Sequence, residues 1–388
     1  MKKKHLITES PKAISDLRDC SFYTQEGGVS PLSFSNIKEG KCKNKHIYYT
    51  TGNSKETIDK AQKYINEHIL NIIPTNRSST AYQKEKSYLD FLEPHISNYF
   101  FLRLDIRNFF HSISIDSIRE ALKSHISDEK ISENFPQSSV ELIINLSTIE
   151  LPEDAVNKEF AGRRILPIGF KTSPAISNIV FRKIDIIIED FCAKHSITYT
   201  RYADDMLFSF KTPKDHTFKP LIFGPIHKKT PYIHSESFKS QIGFILNLEG
   251  LKLNNPKTIS SKRSISINGY IINGTDQPYT KGYLRVSEKK TKIISKLIFE
   301  CKKEKSNINT YRAIFGRNPL KFRFKYKPKI EYIENYCKIS IDNKIGGYYS
   351  YLASLMKYDQ THNCLDSKFR IKCNKYCSEL AKLLNARL

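Results

Sequence analysis

The chain has 388 residues, a formal net charge of +23 and 39% hydrophobic residues. This length and apolar content predict a folded protein with a large core or several packed subdomains, and they exclude a disordered chain. The excess of positive charge favours a polyanionic partner, with nucleic acid first and an anionic membrane surface second. No stretch is long and apolar enough to span a bilayer, and no signal peptide follows the basic start, so we expect no membrane partner.

The eight cysteines are scattered through a chain that is too large to need disulfide bonds. They predict reduced thiols in a cytoplasmic protein. A zinc site built from Cys364, Cys373, Cys377 and His362 is the alternative, but the spacing lacks a CxxC pair. Ordinary cysteines on helix faces are therefore favoured.

Taken in chain order, the sequence predicts an N-terminal extension over residues 1–60 with a few short elements, followed by mixed helices and strands. Helices are predicted at 57–73, 116–125 and 172–193. Strands are predicted at 99–106, on both sides of an Ala-Asp-Asp turn within 197–210, and at 265–272.

The region from Tyr283 onward differs in charge, because it holds 24 Lys and Arg residues against 9 Asp and Glu. We therefore predict a domain boundary near 282, a basic helix over 287–303 and further helices after Gly346-Gly347. Within this region Lys321, Arg323, Lys325 and Lys327 alternate with aromatic residues, so an extended chain would place cations on one face and rings on the other. The pattern suits phosphate contact with base stacking, and equally a sheet edge with buried rings and solvated cations.

Two segments carry the acidic residues that predict a metal site. Asp204 and Asp205 stand between strand-forming runs, where a tight turn would bring both carboxylates to one divalent ion, and without a cation they are expected to repel each other. Asp105 ends an apolar strand, where a buried carboxylate is unfavourable unless it is paired or metal-bound. Three carboxylates on neighbouring strands would hold two metal ions for nucleotidyl transfer. A solvated hairpin turn is the alternative for the Asp-Asp pair alone.

A third segment, residues 166–178, reads LPIGFKTSPAISN. Its glycine and small residues let a backbone approach a ligand closely, and the helix start that follows has N–H groups that can face phosphate or base. A plain helix N-terminus is an equal alternative.

The order of three motifs resembles the signature of reverse transcriptases. These motifs are a strand Asp followed by paired aromatics, then LPxGxxxSPxxSN, then YADD. The segments 79–95, 250–258 and 266–273 are similar to the fingers segment of retron-type enzymes, the lysine-bearing loop and the primer-grip hairpin. The resemblance covers about residues 80–300. It implies an α+β right-hand polymerase fold, with fingers and an antiparallel palm sheet over 61–282 and a basic, RNA-binding helical thumb over 283–388.

The resemblance also implies the catalytic residues. Asp105, Asp204 and Asp205 would bind two Mg²⁺ ions, with Mn²⁺ as a substitute. Lys257 would assist the departing pyrophosphate by proton donation or by its charge, or would be only a solvated loop lysine.

The nucleotide-binding residues follow from the same motifs. Phe110 would block a ribose 2′-hydroxyl and so select dNTPs, with an ordinary core phenylalanine as the alternative. Gly169 and Phe170 would border the incoming nucleotide. The candidates for contact with its triphosphate are Arg164, Arg163, Lys84 and Lys86.

One position departs from the family pattern, because Ile168 stands where glutamine is usual and an isoleucine cannot hydrogen-bond near the nucleotide. This puts retroviral-like processivity and substrate handling in doubt. With the retron-like spacing and no RNase H, endonuclease or maturase block, the chain resembles bacterial retron-like and unknown-group, defence-associated reverse transcriptases, a type 3 defence system being one candidate.

This resemblance implies DNA synthesis from dNTPs on a structured non-coding RNA template in antiviral defence, and assembly as a homo-oligomer or with a second reverse transcriptase in some members. The alternatives are an RNA-dependent RNA polymerase, which Phe110 argues against, and a non-catalytic RNA-binding scaffold, which the intact carboxylate set argues against.

Overall fold

A computed structural model describes residues 16–19, 23–24, 27–42, 45–133, 135–211, 231–277, 279–303 and 305–387. The chain divides into two compact units, the first comprising Met1–Phe91 with Phe101–Ser260, and the second Leu92–Phe100 with Ser261–Leu388. The domain boundaries predicted from the sequence, near residues 60 and 282, divide the chain by function and not by compactness. They remain predictions. Across the ranges described, no helix combines the length and the apolar composition that crossing a membrane requires.

Three of the described helices that precede residue 261 begin at a serine that caps the first turn. Ser114, Ser138 and Ser235 each accept a hydrogen bond from a backbone N–H in the first turn of the helix that follows, which satisfies an otherwise unpaired donor. The helices are α1 (Lys55–His68), α2 (Tyr88–Leu92), α3 (Phe109–Ser112), α4 (Ile115–Lys123), α5 (Ser139–Ser147), α6 (Ser173–Lys194) and α7 (Glu236–Asn247).

Helix α6 is the long helix of the first unit. Its buried positions include Ile176, Val180, Ile184 and Ile188, which recur every four residues on one face, the spacing of an apolar stripe. Proline at position 174 is tolerated because the first turn needs no backbone donor there.

The strands are short and pair as hairpins, apart from one larger sheet. The strands before residue 263 are β1 (Tyr23–Thr24), β2 (Gly28–Val29), β3 (Ile37–Cys42), β4 (Lys45–Thr50), β5 (Phe100–Asp105), β6 (Lys130–Ser132), β7 (Phe135–Ser138), β8 (Ile149–Glu150), β9 (Arg164–Ile165), β10 (Ile197–Tyr202), β11 (Asp205–Phe210) and β12 (Ile259–Lys262). The larger sheet has the order β10-β11-β5-β12. Strand β11 is buried along its whole length, and β10 and β5 are mostly buried.

The remaining elements belong to the second unit. Strands β13 (Ser264–Ile267), β14 (Tyr270–Asn273) and β15 (Tyr283–Val286) form an antiparallel sheet in that order. The helices are α8 (Glu288–Cys301), α9 (Asn307–Phe315), α10 (Ile330–His362) and α11 (Ser367–Asn385).

Two sequence-based predictions need correction here. The strand predicted at 265–272 is a hairpin, because Asn268 and Gly269 both take positive φ values and reverse the chain. Helix α10 begins well before Gly346-Gly347 and continues through both glycines, since packing of its buried positions outweighs the low helix propensity of glycine. The predicted helices at 57–73, 116–125, 172–193 and 287–303 are present within a few residues, except that 57–73 ends in a separate 3-10 turn at Leu70–Ile72.

Candidate active site

The hairpin of β10 and β11 presents the two neighbouring aspartates. Tyr202 pairs with Asp205 at its end, which leaves Ala203 and Asp204 as the turn. Ala203 has a φ of 55°, in the left-handed region that normally favours glycine, and strain of this kind concentrates at functional sites. The backbone N–H of Ile106 donates to the carbonyl oxygen of Asp204 at 3.0 Å. The turn is therefore fixed beside the end of β5.

Asp105, the last residue of β5, is buried and hydrogen-bonded on both carboxylate oxygens. The amide Nδ2 of Asn254 donates to Oδ1 at 2.8 Å, and Nζ of Lys257 lies 3.0 Å from Oδ1 and 3.1 Å from Oδ2. The backbone N–H of Asn254 also donates to the Asp105 carbonyl oxygen at 2.8 Å. The loop that carries Lys257 is thereby tied to the strand that carries Asp105.

The other two carboxylates also face cations. Nε and Nη2 of Arg103 both donate to Oδ1 of Asp205, with Nε at 3.0 Å. Nζ of Lys45, at the start of β4, lies 3.5 Å from Oδ2 of Asp204. The protein therefore supplies a cation to each carboxylate of the Asp-Asp pair, and these cations offset in part the repulsion expected when no cation is present.

The pKa of Asp205 shows that the carboxylates nonetheless influence one another. Burial raises the pKa of Asp205 above its usual value, and the negative charges of Asp204 and Asp105 raise it further, whereas Arg103 lowers it. The carboxylates of Asp105, Asp204 and Asp205 therefore repel one another in a partly desolvated site. Such a site attracts a cation.

The donor set suits Mg²⁺, which prefers carboxylate oxygens. As the side chains are placed, the described residues contain no ready-made cluster of three or more His, Cys, Asp or Glu ligands. The reason is visible in the ion pairs, since each aspartate is turned toward its own cation. A divalent ion bound here would share these carboxylates with Lys45, Lys257 and Arg103 or displace those cations.

A fully buried charge network under the hairpin was not predicted from the sequence. The side chains of Arg201 and Asp185 have no exposed surface, and Nη2 of Arg201 lies 2.7 Å from Oδ2 of Asp185. Nη1 of Arg201 donates to the carbonyl oxygen of Ala203 at 3.1 Å, and the hydroxyl of Tyr199 donates to Asp185 at 2.8 Å. The guanidinium also lies 4.3 Å from the ring centre of Phe181. Two sequence features could have indicated this network: Arg201 lies within an apolar strand, and Asp185 lies on the apolar face of a helix.

Of the three carboxylates, Asp204 lines a cleft of about 330 Å³ in the first unit, whereas Asp105 and Asp205 do not. Phe110 is half-buried in its wall, with its ring centre 6.3 Å from that of Tyr82. The predicted residues Asp204, Lys257 and Phe110 all line this cleft, together with Ile168, the departure from the family pattern. The remaining lining residues are Lys45, His46, Ile106, Asn108, Phe109, His111, Asn157, Glu159, Phe160 and Asn254.

Three predicted nucleotide-binding residues lie elsewhere. Gly169 has a φ of 116°, and a Cβ there would collide with the Tyr48 carbonyl oxygen, so the observed close approach is to strand β4. Phe170 is a buried core residue with 3% exposure. Arg164 lines a neighbouring cleft and donates to Asn145 and Thr148. None of the three lines the Phe110 cleft.

The basic segment at 321–327 lies in the second unit and does not form a strand. Its four cationic side chains are exposed, whereas Phe322 and Phe324 are half-buried, each with its ring centre within 6.2 Å of Tyr336 on α10. Tyr326 is 76% exposed. Two of the three rings thus pack on a helix, and one stands in solvent.

Residues 41–272 match the reverse transcriptase (RNA-dependent DNA polymerase) family. The match spans more than half of the chain, and the chain therefore belongs to this family. The predicted α+β fold and the predicted enzyme class, an RNA-directed DNA polymerase, are confirmed.

Among characterised relatives, the chain is similar to the retron Ec83 reverse transcriptase of Escherichia coli, with 28% identity over 73% of this chain and 77% of the relative. It is 25% identical to the retron Ec86 reverse transcriptase of Escherichia coli over 52% of this chain and 51% of that one. It is 23% identical to the retron Mx162 reverse transcriptase of Myxococcus xanthus, over 59% and 46%. The chain spans about half the length of the last two, and the predicted retron-like bacterial class is confirmed.

Among solved structures, the chain is similar to telomerase from Candida albicans in complex with a TWJ fragment of telomeric RNA. The identity is 14% and the TM-score 0.42, over 91% of this chain and 63% of that one.

Proposed function

We propose that this protein synthesises DNA from dNTPs on an RNA template by two-metal nucleotidyl transfer at Asp105, Asp204 and Asp205. The observation that carries the proposal is the meeting of these three carboxylates beside a cleft that also holds Phe110 and Lys257. The family of the chain supplies the reaction class.

Asp105, Asp204 and Asp205 would hold the divalent ions, whose chemistry is to stabilise the attacking and leaving oxygens of the displaced phosphate. We infer Mg²⁺ as the ordinary ion, with Mn²⁺ as a substitute. Two neighbouring side chains position the carboxylates of this metal site: Arg103 orients Asp205, and Asn254 orients Asp105.

The cleft residues give each part of a dNTP a partner. Phe110 presents a half-buried ring that would exclude a ribose 2′-hydroxyl, and Tyr82 supports that ring. Lys257, once released from Asp105, would place its ammonium group near the departing pyrophosphate. Lys45, which pairs with Asp204 in the free protein, would likewise contact a phosphate once it is released. Two of the three cations that pair with the carboxylates in the free protein, Lys45 and Lys257, would therefore also contact the substrate.

The RNA partner is proposed from charge. We infer a structured non-coding RNA template, held in large part by the region after Tyr283, because this region carries 24 Lys and Arg against 9 Asp and Glu. The exposed side chains of Lys321, Arg323, Lys325 and Lys327 would contact its phosphates. A role in bacterial antiviral defence, with a homo-oligomer or a second reverse transcriptase as partner, belongs to the same proposal and rests on the resemblance of the sequence motifs to defence-associated reverse transcriptases.

The test is incorporation of labelled dNTPs and, in parallel, NTPs on a primed RNA template, with and without Mg²⁺. We expect incorporation of dNTPs only, abolished by a chelator and restored by added Mg²⁺. Incorporation of NTPs at an equal rate would indicate an RNA polymerase, and no incorporation with retained RNA binding would indicate a scaffold. Sequencing the nucleic acid that copurifies with the protein would identify the template.

A further inference from the structure

A second cleft, of about 510 Å³, lies beside the Phe110 cleft in the first unit. Asn108, His111, Glu159 and Phe160 line both clefts and form a shared wall. The first turn of α4 also lines the second cleft, through Ser114 to Asp116. None of the three proposed metal-binding aspartates is among the residues that line it.

Positive charge exceeds negative charge in this second cleft. Its cationic residues are Arg107, Arg163, Arg164 and Lys252, and its acidic residues are Glu159 and Asp116. Both acids already have partners, since Arg107 donates to Glu159 at 2.9 Å and Arg119 donates to Asp116 at 2.8 Å. Arg163 and Lys252 are exposed, and neither has a carboxylate within 4.0 Å in the part of the chain that the structure describes.

Arg164 adds a half-buried charge that, among the described residues, forms no ion pair, although Glu150 and Glu141 act on it from a longer distance. Its Nε donates to the Thr148 hydroxyl at 2.8 Å and its Nη2 donates to Oδ1 of Asn145 at 2.6 Å, and both acceptors are neutral. Burial lowers the pKa of the Arg164 guanidinium, which means that the charged form is less well solvated here than in water. A bound anion would offset that desolvation.

His111, in the shared wall, contacts the rings of Tyr48 and Phe160 but, in the part of the chain that the structure describes, has an unpaired ring nitrogen. It is 8% exposed, and its Nε2 has no hydrogen-bond partner among the described residues. Burial lowers the pKa of His111 to about 4, so its ring is neutral at pH 7 and offers one N–H donor. A buried polar atom left unpaired is costly, and a ligand that fills the cleft would remove that cost.

We propose that this second cleft binds inorganic pyrophosphate, the product of each nucleotide addition. The proposal rests on the proposed DNA synthesis, which releases one pyrophosphate per nucleotide. The second cleft shares a wall with the Phe110 cleft and carries more cations than acids, so it attracts an anion released nearby. A compact group of Arg, Lys and His donors around a concave volume fits a small multivalent anion, whereas a nucleic-acid strand needs an extended basic track.

The experiment measures binding of inorganic pyrophosphate to the full chain by titration calorimetry, in a metal-free buffer. Two variants separate the clefts: Arg163→Gln with Lys252→Gln removes exposed charge from the second cleft, and Asp204→Asn alters the first. We expect the charge variant to bind pyrophosphate roughly ten-fold or more weakly, and Asp204→Asn to bind it as the wild type does. The same charge loss at Lys183 and Lys194, two exposed lysines on α6, is the matched control and should leave affinity unchanged.

Three outcomes would overturn the proposal: no binding by the wild type, equal loss in the α6 control, or loss in Asp204→Asn alone. Weaker RNA binding with unchanged pyrophosphate affinity in the charge variant would assign the cleft to nucleic acid instead. Because this measurement needs no turnover, it is independent of the dNTP incorporation assay that tests the proposed function. Pyrophosphate inhibition of DNA synthesis, expected to weaken in parallel in the charge variant, then connects the two.

Discussion

The aspartate hairpin in the first unit and the basic segment at 321–327 in the second both depend on charge, but in opposite ways. Arg201, beneath the hairpin, is fully buried and donates to Asp185, Asn178, Ser79 and a backbone carbonyl. Arg323, in the basic segment, is exposed and, among the residues described, has no ion-pair partner. Buried, matched charge fixes a geometry, whereas exposed, unmatched charge attracts a polyanion from solution. The following predictions test that contrast, from the largest expected effect to the smallest.

Replacing Asp204 and Asp205 together by Asn should lower DNA synthesis by roughly a thousand-fold or more, since the amides cannot stabilise the bound metal ions. RNA affinity, measured by filter binding, should stay within about two-fold, because the basic segment is untouched. Asn is the informative replacement. The amide oxygen of an asparagine at position 205 can still accept a hydrogen bond from the largely buried Arg103, whereas alanine leaves that guanidinium without an acceptor there and confuses lost catalysis with lost stability. Retained synthesis in the Asn variant would remove these residues from the proposed active site.

Replacing Arg201 by Met should lower the free energy of unfolding by about 3–5 kcal/mol, because Asp185 is then a buried charge without a partner. Denaturant unfolding followed by circular dichroism measures the change. Replacing Asp185 by Leu in the same protein removes that charge and should recover much of the stability. A double variant as unstable as the single one would show that the hydrogen bonds to Ser79 and Asn178, more than the ion pair, hold the hairpin.

Replacing Phe110 by Ala should reduce the preference for dNTPs over NTPs by about ten-fold to two-hundred-fold, the range for removing a steric contact. The preference is measured as the ratio of kcat/KM for matched dNTP and NTP pairs. Phe110→Tyr keeps the ring and should keep the preference. If the alanine variant discriminates as the wild type does, Phe110 serves packing against Tyr82 and Phe109 and not sugar selection.

Replacing Lys321, Arg323, Lys325 and Lys327 by Ser should flatten the salt dependence of RNA binding. Each lost phosphate contact on a single-stranded RNA removes about 0.7 from the log–log slope, or about 2.8 for four. Four exposed lysines of the first unit, Lys60, Lys63, Lys183 and Lys194, provide the control with the same change in charge.

Tyr326 distinguishes stacking from phosphate contact in the same segment. Because its ring is exposed, Tyr326→Ala should weaken RNA binding without changing the salt slope or the melting temperature. Phe322→Ala should instead lower the melting temperature, since that ring packs against Tyr311 and Tyr336. Identical behaviour of the two variants would mean that the segment is either all core or all binding surface.

Sequence patterns predicted the elements of the site better than its connections. The strand at Asp105, the hairpin at Asp204-Asp205 and the long helix α6 follow from local periodicity and turn chemistry, which act over a few residues. The partners of the aspartates are set by tertiary contacts: Lys45 is 159 positions from Asp204, and Arg103 is 102 positions from Asp205. A single sequence gives no signal for such pairs.

The same limit explains Gly169 and the basic segment. The glycine was expected where a backbone approaches a ligand, and it does permit a close approach, but to strand β4 of the same chain. At 321–327 the RNA-binding interpretation and the buried-ring interpretation each apply in part. The cations are exposed, two of the rings are packed, and the third ring is exposed. Alternation of charged and aromatic residues along a sequence predicts that the two sets lie in different environments. It does not predict whether a given ring is buried or exposed.

The two glycines inside α10 offer a means of engineering the protein. A Cβ at either Gly346 or Gly347 would meet no atom within 4 Å, so alanine fits there without steric cost. Glycine in a helix interior is less favourable than alanine by about 0.8–1.0 kcal/mol per residue. Gly346→Ala with Gly347→Ala is therefore a stabilising substitution far along the chain from every residue proposed for catalysis. The double substitution would raise the stability of the second unit by about 2 kcal/mol, and it changes no residue of the aspartate hairpin in the first unit.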